Sequence, residues 1–309
     1  MDLLTLVVPC YNEEAALPAF MEEVQSVMKT LKEVAVEIIF VDDGSRDRTL
    51  EIIRTLHQKN DFVRYISFSR NFGKESAILA GLQASRGTWT AVMDADLQDP
   101  PRLLPEMLEY VRSGEYDCVG TCRVTRKGEP PIRSFFARCF YKFINRISDT
   151  KLVDGARDYK LLSRKAVDAL LAMPEVNRFS KGLYEWVGFR TKWISFENVE
   201  RVAGETKWSF WKLFRYSLEG IVSFSTAPLL ISTFLGLLFM FVSLVGIASL
   251  VIRQLIYNNS VAGWTSMTCI VLLIGGVQLF CLGVMGQYMS KMYMEIKRRP
   301  HYIVAEQSE

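Results

Sequence analysis

The stretch TWTAVMDADLQDPP, residues 88–101, combines the features that decide the fold. Its first half is a short apolar run, which predicts a buried strand over residues 88–93. Two carboxylates, Asp94 and Asp96, follow as the strand ends, and Pro100-Pro101 then predicts the first turn of a helix. A buried strand that leads through a polar turn into a helix is the building unit of an α/β layer.

The same unit recurs on both sides of this stretch. Apolar runs predict further strands over residues 3–9, 37–41, 63–68 and 116–121. Helical spacing of apolar residues predicts helices over residues 14–34, 47–57 and 74–85. This alternation predicts an α/β domain with a largely parallel sheet. Ligands of such sheets bind beyond the carboxyl ends of the strands, where this chain has its polar residues.

The acidic pair after the strand at residues 88–93 indicates a metal site. Asp94 and Asp96 are two residues apart, so a turn can bring both carboxylates to one hard cation, Mg²⁺ or Mn²⁺. A cation held in this way can take up the charge of a leaving diphosphate. The alternative is an acidic surface turn. The chain has neither GxGxxG nor GxxxxGK[ST], which argues against a dinucleotide-binding fold and a P-loop.

Two other predicted strand ends carry acidic residues. Asp42 could hold a nucleobase amide or ribose hydroxyls, or could serve only in the turn before the next helix; we favour ligand binding. Glu13 could reach a ribose, or could be a first-turn acid that interacts favourably with the helix dipole.

The composition excludes several classes of protein. The 309 residues include six cysteines without a CxxC pair and two histidines, which excludes a disulfide scaffold and argues against a zinc site. Charged residues make up 23% and apolar residues 50%, so the chain is not mainly disordered. A net charge of +3 is too small for an extended nucleic-acid surface, and we expect no nucleic-acid partner.

The last part of the chain predicts a membrane anchor. Between residues 220 and 290 the single charged side chain is Arg253, and a bilayer-spanning helix needs about 20 apolar residues. We therefore predict transmembrane helices over residues 226–253 and 261–290 rather than a buried core pair. Lysines and arginines flank the outer ends of both runs, and residues 1–9 do not resemble a signal peptide. Both termini are therefore predicted to be cytoplasmic, with the protein in the cytoplasmic (inner) membrane.

Two further segments are predicted to contact the membrane. Residues 123–147 combine seven basic residues with apolar residues at helical spacing, which is typical of a helix on an anionic bilayer. A solvated helix packed on the sheet is the alternative. Residues 209–225 predict a second interfacial helix. Small residues in the spans, such as Gly275-Gly276, permit close helix packing, and we expect a homo-oligomer.

Four motifs together resemble those of family 2 glycosyltransferases: VPCYNEE (8–14), VDDGS (41–45), SRNFGKE (69–75) and DADLQDPP (94–101). The chain is most similar to the polyprenyl-phosphate branch, the bactoprenol glucosyltransferases and the related dolichol-phosphate mannose synthases. The resemblance extends over nearly the whole chain. It implies a GT-A fold over residues 1–208, a divalent metal, and inverting transfer from a nucleotide sugar to a polyprenyl phosphate in the membrane. Residues 291–309 would form a cytoplasmic tail.

The resemblance also implies the substrates and the site residues. The transferred sugar would be glucose from UDP-glucose. The alternatives are transfer of mannose from GDP-mannose to dolichol phosphate or polyprenyl phosphate, and transfer of another UDP-sugar such as an aminoarabinose or an N-acetylhexosamine. The donor would be bound by residues at the strand ends: Pro9, Tyr11, Asn12, Glu13, Asp42, Gly73, Lys74, Asp94, Ala95, Asp96 and Gln98. Catalysis would involve Asp96 together with Asp158, Arg201 and Lys207. The acceptor phosphate and the membrane would be contacted by basic residues: Arg123, Arg126, Arg133, Arg138, Lys160 and Lys207.

The role of Asp158 stays open between two chemistries. The family motif at residues 155–161 places Asp158 where a general base is usually assigned, and Lys160 stands there in place of an arginine. A lipid phosphate has a second pKa of about 6 and is mostly anionic near neutral pH, so removing its proton contributes little. We therefore interpret Asp158 as an orienting group, for a cation or for the attacking oxygen, at least as readily as a base.

Overall fold

The computed structural model describes residues 2–31, 33–123, 145–146, 153, 155–197, 225–257 and 263–308. In these residues, eight strands form one sheet: β1 (Asp2–Cys10), β2 (Val34–Asp42), β3 (Val63–Phe68), β4 (Trp89–Val92), β5 (Cys118–Arg123), β6 (Ala156–Ser163), β7 (Thr191–Phe196) and β8 (Val304–Gln307). The order across the sheet is β7-β5-β6-β4-β1-β2-β3-β8.

The helices of the described residues fall into two groups. Those of the sheet domain are α1 (Leu17–Met28), α2 (Thr49–Lys59), α3 (Lys74–Ala84), α4 (Leu104–Arg112), α5 (Arg164–Leu171) and α6 (Ser180–Trp186), with a 3-10 turn at Pro101–Leu103. Those that follow the domain are the two long helices α7 (Ala227–Tyr257) and α8 (Trp264–Lys297).

Alternate residues of the central strands are buried on opposite faces of the sheet. Leu6 of β1 belongs to the core that includes α1 and α4, whereas Val7 packs with α3 on the other face. A Cβ added at Gly81 of α3 would lie 2.1 Å from Val7 Cγ1, so glycine lets the helix approach the strand closely. Burial on both faces explains why the central strands are apolar throughout rather than alternating with polar residues.

The predicted α/β architecture is confirmed, with a mixed rather than a largely parallel sheet. Strands β1 to β4 pair in parallel, as predicted. Strand β6 pairs antiparallel with both β4 and β5, and β8 pairs antiparallel with β3. Strands β6, β7 and β8 were not predicted from the sequence. The helix predicted over residues 14–34 is shorter, because Pro18 lies in its first turn and β2 already begins at Val34.

Helices α7 and α8 are long and apolar enough to cross a membrane. The qualifying segments are Ala227–Gly246, with mean hydropathy 2.4, and Leu273–Lys297, with mean hydropathy 1.3. Large apolar side chains are exposed along both, such as Phe234 and Leu279. Tyr288 Oη of α8 donates at 2.5 Å to the carbonyl of Ser225, which lies two residues before α7. The predicted amphipathic segment at 123–147 and interfacial helix at 209–225 lie almost entirely outside the described residues.

The chain returns to the sheet after α8. The segment that was predicted only as a tail contains β8, which pairs with β3 at Ile66–Gln307 and Ser67–Glu306. Arg54 donates to Glu306 with two nitrogens, at 2.8 and 2.5 Å. The carboxyl-terminal segment therefore lies on the same side of the helical hairpin as the sheet domain.

Candidate active site

Four strand ends and one strand start meet at one edge of the sheet. Strands β1, β2, β3 and β4 are parallel, so their carboxyl ends lie together. Strand β6 runs in the opposite direction next to β4, which brings its first residues to the same edge. This antiparallel neighbour places Asp158 beside the turn that carries Asp94 and Asp96.

The turn after β4 holds the acidic pair in a constrained backbone. Leu97 has φ 57°, in the left-handed region that a bulky residue rarely adopts. The Gln98 amide donates to Asp96 Oδ1 at 3.1 Å, which closes the turn around that carboxylate. Ala95 is buried beneath it. Within the described residues, no group of three or more histidine, cysteine or acidic side chains is arranged to hold a metal ion.

Lys74 links the acidic turn to Asp158. It is the first residue of α3, and Gly73 before it has φ 100°, a conformation that glycine adopts without strain. The Lys74 ammonium lies 2.7 Å from Asp94 Oδ1 and also contacts Asp158 Oδ2. Burial opposes its charge, but the two carboxylates outweigh burial and raise the pKa of Lys74 well above its ordinary value.

Asp158 lies between two ammonium groups. Lys181 Nζ is 3.7 Å from Asp158 Oδ1, while Lys74 contacts the other oxygen. Burial alone would raise the pKa of Asp158, but the charges of Lys181 and Lys74 outweigh it and hold the pKa well below the usual range. The two ammonium groups therefore favour the ionised form of this carboxylate.

Lys181 was not singled out by the sequence analysis. It is the second residue of α6, and its ammonium also donates to the Ala156 carbonyl at 3.0 Å. The start of this helix is held by Glu75, which accepts a hydrogen bond from the Ser180 amide at 3.0 Å and a second one from the Ser180 hydroxyl. No sequence motif surrounds this lysine. Its place in the site depends on how α6 packs against β6 and α3, which the sequence alone does not show.

The two aspartates after β2 have different partners. Asp42, favoured as a ligand-binding residue, accepts hydrogen bonds from the Ser67 hydroxyl at 2.8 Å and the Ser45 amide at 3.1 Å. Asp43 accepts hydrogen bonds from the amides of Phe72 at 2.6 Å and Gly73 at 2.9 Å. Burial raises the pKa of Asp43 to about 6, while these amides act in the opposite direction. Asp43 thus holds the loop before Lys74, a role that the sequence analysis missed.

The loops after β1 and β2 are joined by hydrogen bonds. Asn12 has φ 55°, and its backbone amide donates to Ser45 Oγ at 3.0 Å. Its side-chain Oδ1 accepts a hydrogen bond from the backbone amide of Arg46 at 2.9 Å. The Glu13 amide donates to Thr49 Oγ1 at 2.8 Å. Pro9 pairs in register with Val41, and the Tyr11 side chain beyond it is exposed. The predicted donor-binding residues of both loops are therefore neighbours in space.

A buried ion pair connects the acidic turn to β6. Asp99 is fully buried, and Arg157 Nε donates to its Oδ1 at 2.7 Å. Arg157 Nη2 also lies 3.4 Å from Gln98 Oε1. Burial raises the pKa of Asp99 to about 6 against the lowering effect of the guanidinium. The residue before Asp158 therefore fixes the position of β6 relative to the turn.

Lys160 is not available to an acceptor phosphate in this structure. It is 2% exposed, and its ammonium lies 2.8 Å from Glu185 Oε1. The rings of Tyr184 and Trp193 lie 4.9 and 5.0 Å from the same nitrogen. A buried ammonium needs such partners, and here they enclose it completely. In this structure Lys160 therefore helps to pack α6 on the sheet, and its contact with an acceptor phosphate stays a prediction.

The other predicted acceptor-side residues are mostly outside the described residues. These are Arg126, Arg133, Arg138, Arg201 and Lys207. Arg123 is described: it ends β5 at the same edge of the sheet, and its amide donates to the Gly155 carbonyl at 3.0 Å. A Cβ at Gly155, which has φ 80°, would lie 2.8 Å from the Arg123 carbonyl oxygen.

Comparison with known proteins gives consistent results. A family model described as "Glycosyl transferase family 2" matches residues 5–171. The prophage bactoprenol glucosyl transferase homolog of Escherichia coli K12 is 40% identical over 301 residues, which is 97% of this chain and 98% of that protein. The bactoprenol glucosyl transferase of Shigella phage SfV is 40% identical over 306 residues, 99% of each chain.

The comparison with solved structures gives matches of low sequence identity. Glucosyl-3-phosphoglycerate synthase from Mycobacterium tuberculosis, in complex with Mn²⁺, UDP-glucose and phosphoglyceric acid, is 19% identical with a TM-score of 0.48. The alignment covers 72% of this chain and 78% of that chain.

Proposed function

Because the chain belongs to glycosyl transferase family 2, whose members transfer sugars, we propose that it moves glucose from UDP-glucose to undecaprenyl phosphate, with inversion at the anomeric carbon. The observation that carries this proposal is the similarity to bactoprenol glucosyl transferases, which extends over 97–99% of the chain at 40% identity. The two apolar helices support an acceptor that resides in a membrane. We place the reaction at the cytoplasmic face, where the basic flanks of the hairpin would lie.

The acidic turn is suited to a divalent cation. Asp94 and Asp96 offer two carboxylates, which matches the way in which Mg²⁺ is held by one or two carboxylates plus substrate phosphates. Mn²⁺ would be held by the same oxygens. When bound, such a cation neutralises charge on the diphosphate that leaves the sugar. We assign these two residues to the metal and to the donor diphosphate.

The donor is proposed to lie across the joined loops after β1 and β2. The exposed ring of Tyr11 offers a surface for a nucleobase, and Asn12 fixes the loop through its two hydrogen bonds. Asp42 has a partner on each oxygen, but a carboxylate oxygen accepts more than one hydrogen bond, so a base or ribose donor can still be accommodated. The loop at Gly73, which Asp43 holds, then places Lys74 beside the diphosphate.

The reaction brings two anions together. An oxygen of the lipid phosphate forms a bond to the anomeric carbon, while the bond from that carbon to the UDP oxygen breaks and its electron pair leaves with UDP. The attacking oxygen is already ionised near neutral pH, so no proton has to be removed. What the site must supply is positive charge on both sides of the sugar.

Lys74 and Lys181 are proposed to supply that charge. They come from different helices and share the Asp158 carboxylate, which fixes the distance between the two ammonium groups. We therefore propose that Asp158 orients these cations rather than accepting a proton. Arg201 and Lys207 stay proposed contributors on the acceptor side.

The test is transfer by the purified full-length protein in lipid nanodiscs that contain undecaprenyl phosphate. With Mg²⁺ or Mn²⁺, UDP-[¹⁴C]glucose should give a labelled lipid, and chelation should stop the reaction. GDP-mannose, a UDP-aminoarabinose and UDP-N-acetylglucosamine are offered in parallel. Labelling from one of these and not from UDP-glucose would replace the proposed sugar, and labelling without polyprenyl phosphate would refute the proposed acceptor.

A further inference from the structure

The segment that follows the membrane hairpin contacts both walls of the site. Strand β3 and α3 form the wall that carries Lys74, and α6 with the loop before it forms the wall that carries Lys181. We propose that residues 291–307, which we call the strap, position these two lysines relative to each other, with Glu295 and Tyr302 as the positioning residues. This inference rests on the proposed function only for the identity of the ligands that the two lysines would bind.

The first contact holds the loop before α6. The Glu295 carboxylate, near the end of α8, accepts hydrogen bonds at 3.0 Å from the amides of Val176 and Asn177 and from the Asn177 side chain. Lys291, one helical turn earlier, donates to Asn177 Oδ1 at 3.0 Å. Three donors on one carboxylate fix the backbone at 176–177, and Lys181 follows four residues later.

The second contact supports the loop before α3. The Tyr302 ring stacks on Phe68 with centroids 4.7 Å apart, and Phe68 in turn packs edge-on against Phe72 at 5.8 Å. Ser76 Oγ of α3 donates to the His301 carbonyl at 3.1 Å. Phe72 is the residue whose amide Asp43 holds, two positions before Lys74. The strap thus packs behind the loop that positions the first lysine.

These contacts matter because the two lysines belong to separate elements. Within the described residues, they meet at Asp158, and their helices are also joined by the hydrogen bonds of Glu75 to Ser180. Each ammonium depends on the backbone beneath it for its position. A displacement of about 1 Å in a catalytic arrangement can cost about 100-fold in rate, so a strap that fixes both backbones would contribute to transfer without touching substrate.

Tyr302→Ala tests the contact with the α3 wall. It should raise the KM for the donor about 10-fold, because Lys74 is proposed to face the diphosphate, and it should increase hydrogen–deuterium exchange at the amides of residues 72–76. Tyr302→Phe keeps the ring stack and loses only the 2.5 Å hydrogen bond to Gln83 Oε1, so it should restore both values to near wild type.

Glu295→Gln tests the contact with the α6 wall. It should leave the donor KM unchanged and lower kcat about 10-fold, with increased exchange at residues 176–181. The matched control is Glu306→Gln in the same strap, which removes the exposed ion pair with Arg54 of α2 and leaves the contacts of Glu295 and Tyr302 in place. The control should keep wild-type kinetics and wild-type exchange at both walls.

The exchange measurement separates this inference from the proposed function, because it needs neither donor nor acceptor. If the wild-type protein transfers another sugar, the kinetics are run with that sugar. Unchanged exchange at residues 72–76 in Tyr302→Ala and at 176–181 in Glu295→Gln would overturn the strap proposal. So would equal kinetic losses in Glu306→Gln, since a general loss of stability and not positioning would then explain them.

Discussion

Replacing Asp158 by asparagine separates an orienting carboxylate from a general base. The carboxylate lies 3.7 Å from Lys181 Nζ and also contacts Lys74, so a neutral amide removes the counterion that both lysines share. At an effective dielectric constant of about 20, two unit charges at that distance attract by roughly 4 kcal/mol before desolvation is counted. If the lysines then move by about 1 Å, transfer should fall by about 10- to 100-fold.

A general base would give a different pattern of losses. Removal of a general base lowers the rate by about 10²–10⁴-fold. This range adjoins the loss of about 10- to 100-fold expected for an orienting group, so the rate of a single variant cannot distinguish the two roles. The deciding experiment is a double-mutant cycle with Lys181→Ala. If Asp158 acts through Lys181, Asp158→Asn should cost less in the Lys181→Ala background than in the wild type. If it accepts a proton, the two fold-losses should multiply.

The assay is the initial rate of lipid glucosylation in nanodiscs, with saturating metal and donor, between pH 5 and pH 9. In the wild type and in Asp158→Asn, the rate should rise with pH through about 6, as the lipid phosphate ionises. Asp168→Asn is the control, because that carboxylate pairs with Arg164 on an exposed face of α5. Fold-losses of Asp158→Asn and Lys181→Ala that multiply, together with mild effects of Arg201→Ala and Lys207→Ala, would refute the orienting role.

Three further outcomes follow from the same structure. Asp96→Asn should abolish metal-dependent transfer while circular dichroism stays unchanged, and near-normal activity that still requires metal would contradict its assignment. Lys160→Met should lower the free energy of unfolding by about 1–3 kcal/mol, because Glu185 loses its buried partner, and it should leave the acceptor KM unchanged. A raised acceptor KM without loss of stability would support the phosphate role. The control is Lys165→Met, at an exposed lysine. Reporter fusions after Glu309 and in the loop at residues 258–262 should report opposite sides of the membrane, and periplasmic activity at Glu309 would refute the cytoplasmic orientation.

The parallel half of the sheet could be predicted because its signals are local. Each of the strands β1 to β4 is a short apolar run that ends in polar residues, and such runs can be recognised in a sequence without tertiary context. Strand β6 contains charged residues among its apolar ones, such as Lys160, because its partners neutralise that charge only in the fold. Strand β8 has four residues, and its pairing with β3 joins positions far apart in the chain. Neither could be found from periodicity.

The site residues also fall into two groups, those that lie in sequence motifs and those whose contacts depend on tertiary packing. Asp94, Asp96, Lys74 and Asp158 lie in recognisable motifs, and in the structure Lys74 contacts both Asp94 and Asp158. Lys181, Asp43 and Asp99 were missed as functional or supporting residues, because their contacts depend on packing between elements. The burial of Lys160 against Glu185 was not predicted, because a sequence shows the charge of a residue but not whether another side chain neutralises it.

If α8 crosses the bilayer as proposed, its length sets the height of the reacting atoms above the membrane. The uncharged run of this helix ends at Ser290, and Lys291 is the first charge beyond it. Glu295 lies only about 6 Å further along the axis, at 1.5 Å per residue. The loop at 176–177 is bonded to both Lys291 and Glu295, so this wall of the site would sit at the level of the lipid headgroups. A polyprenyl phosphate could then react while its chain stays in the membrane, and the soluble nucleotide sugar would diffuse to the membrane surface.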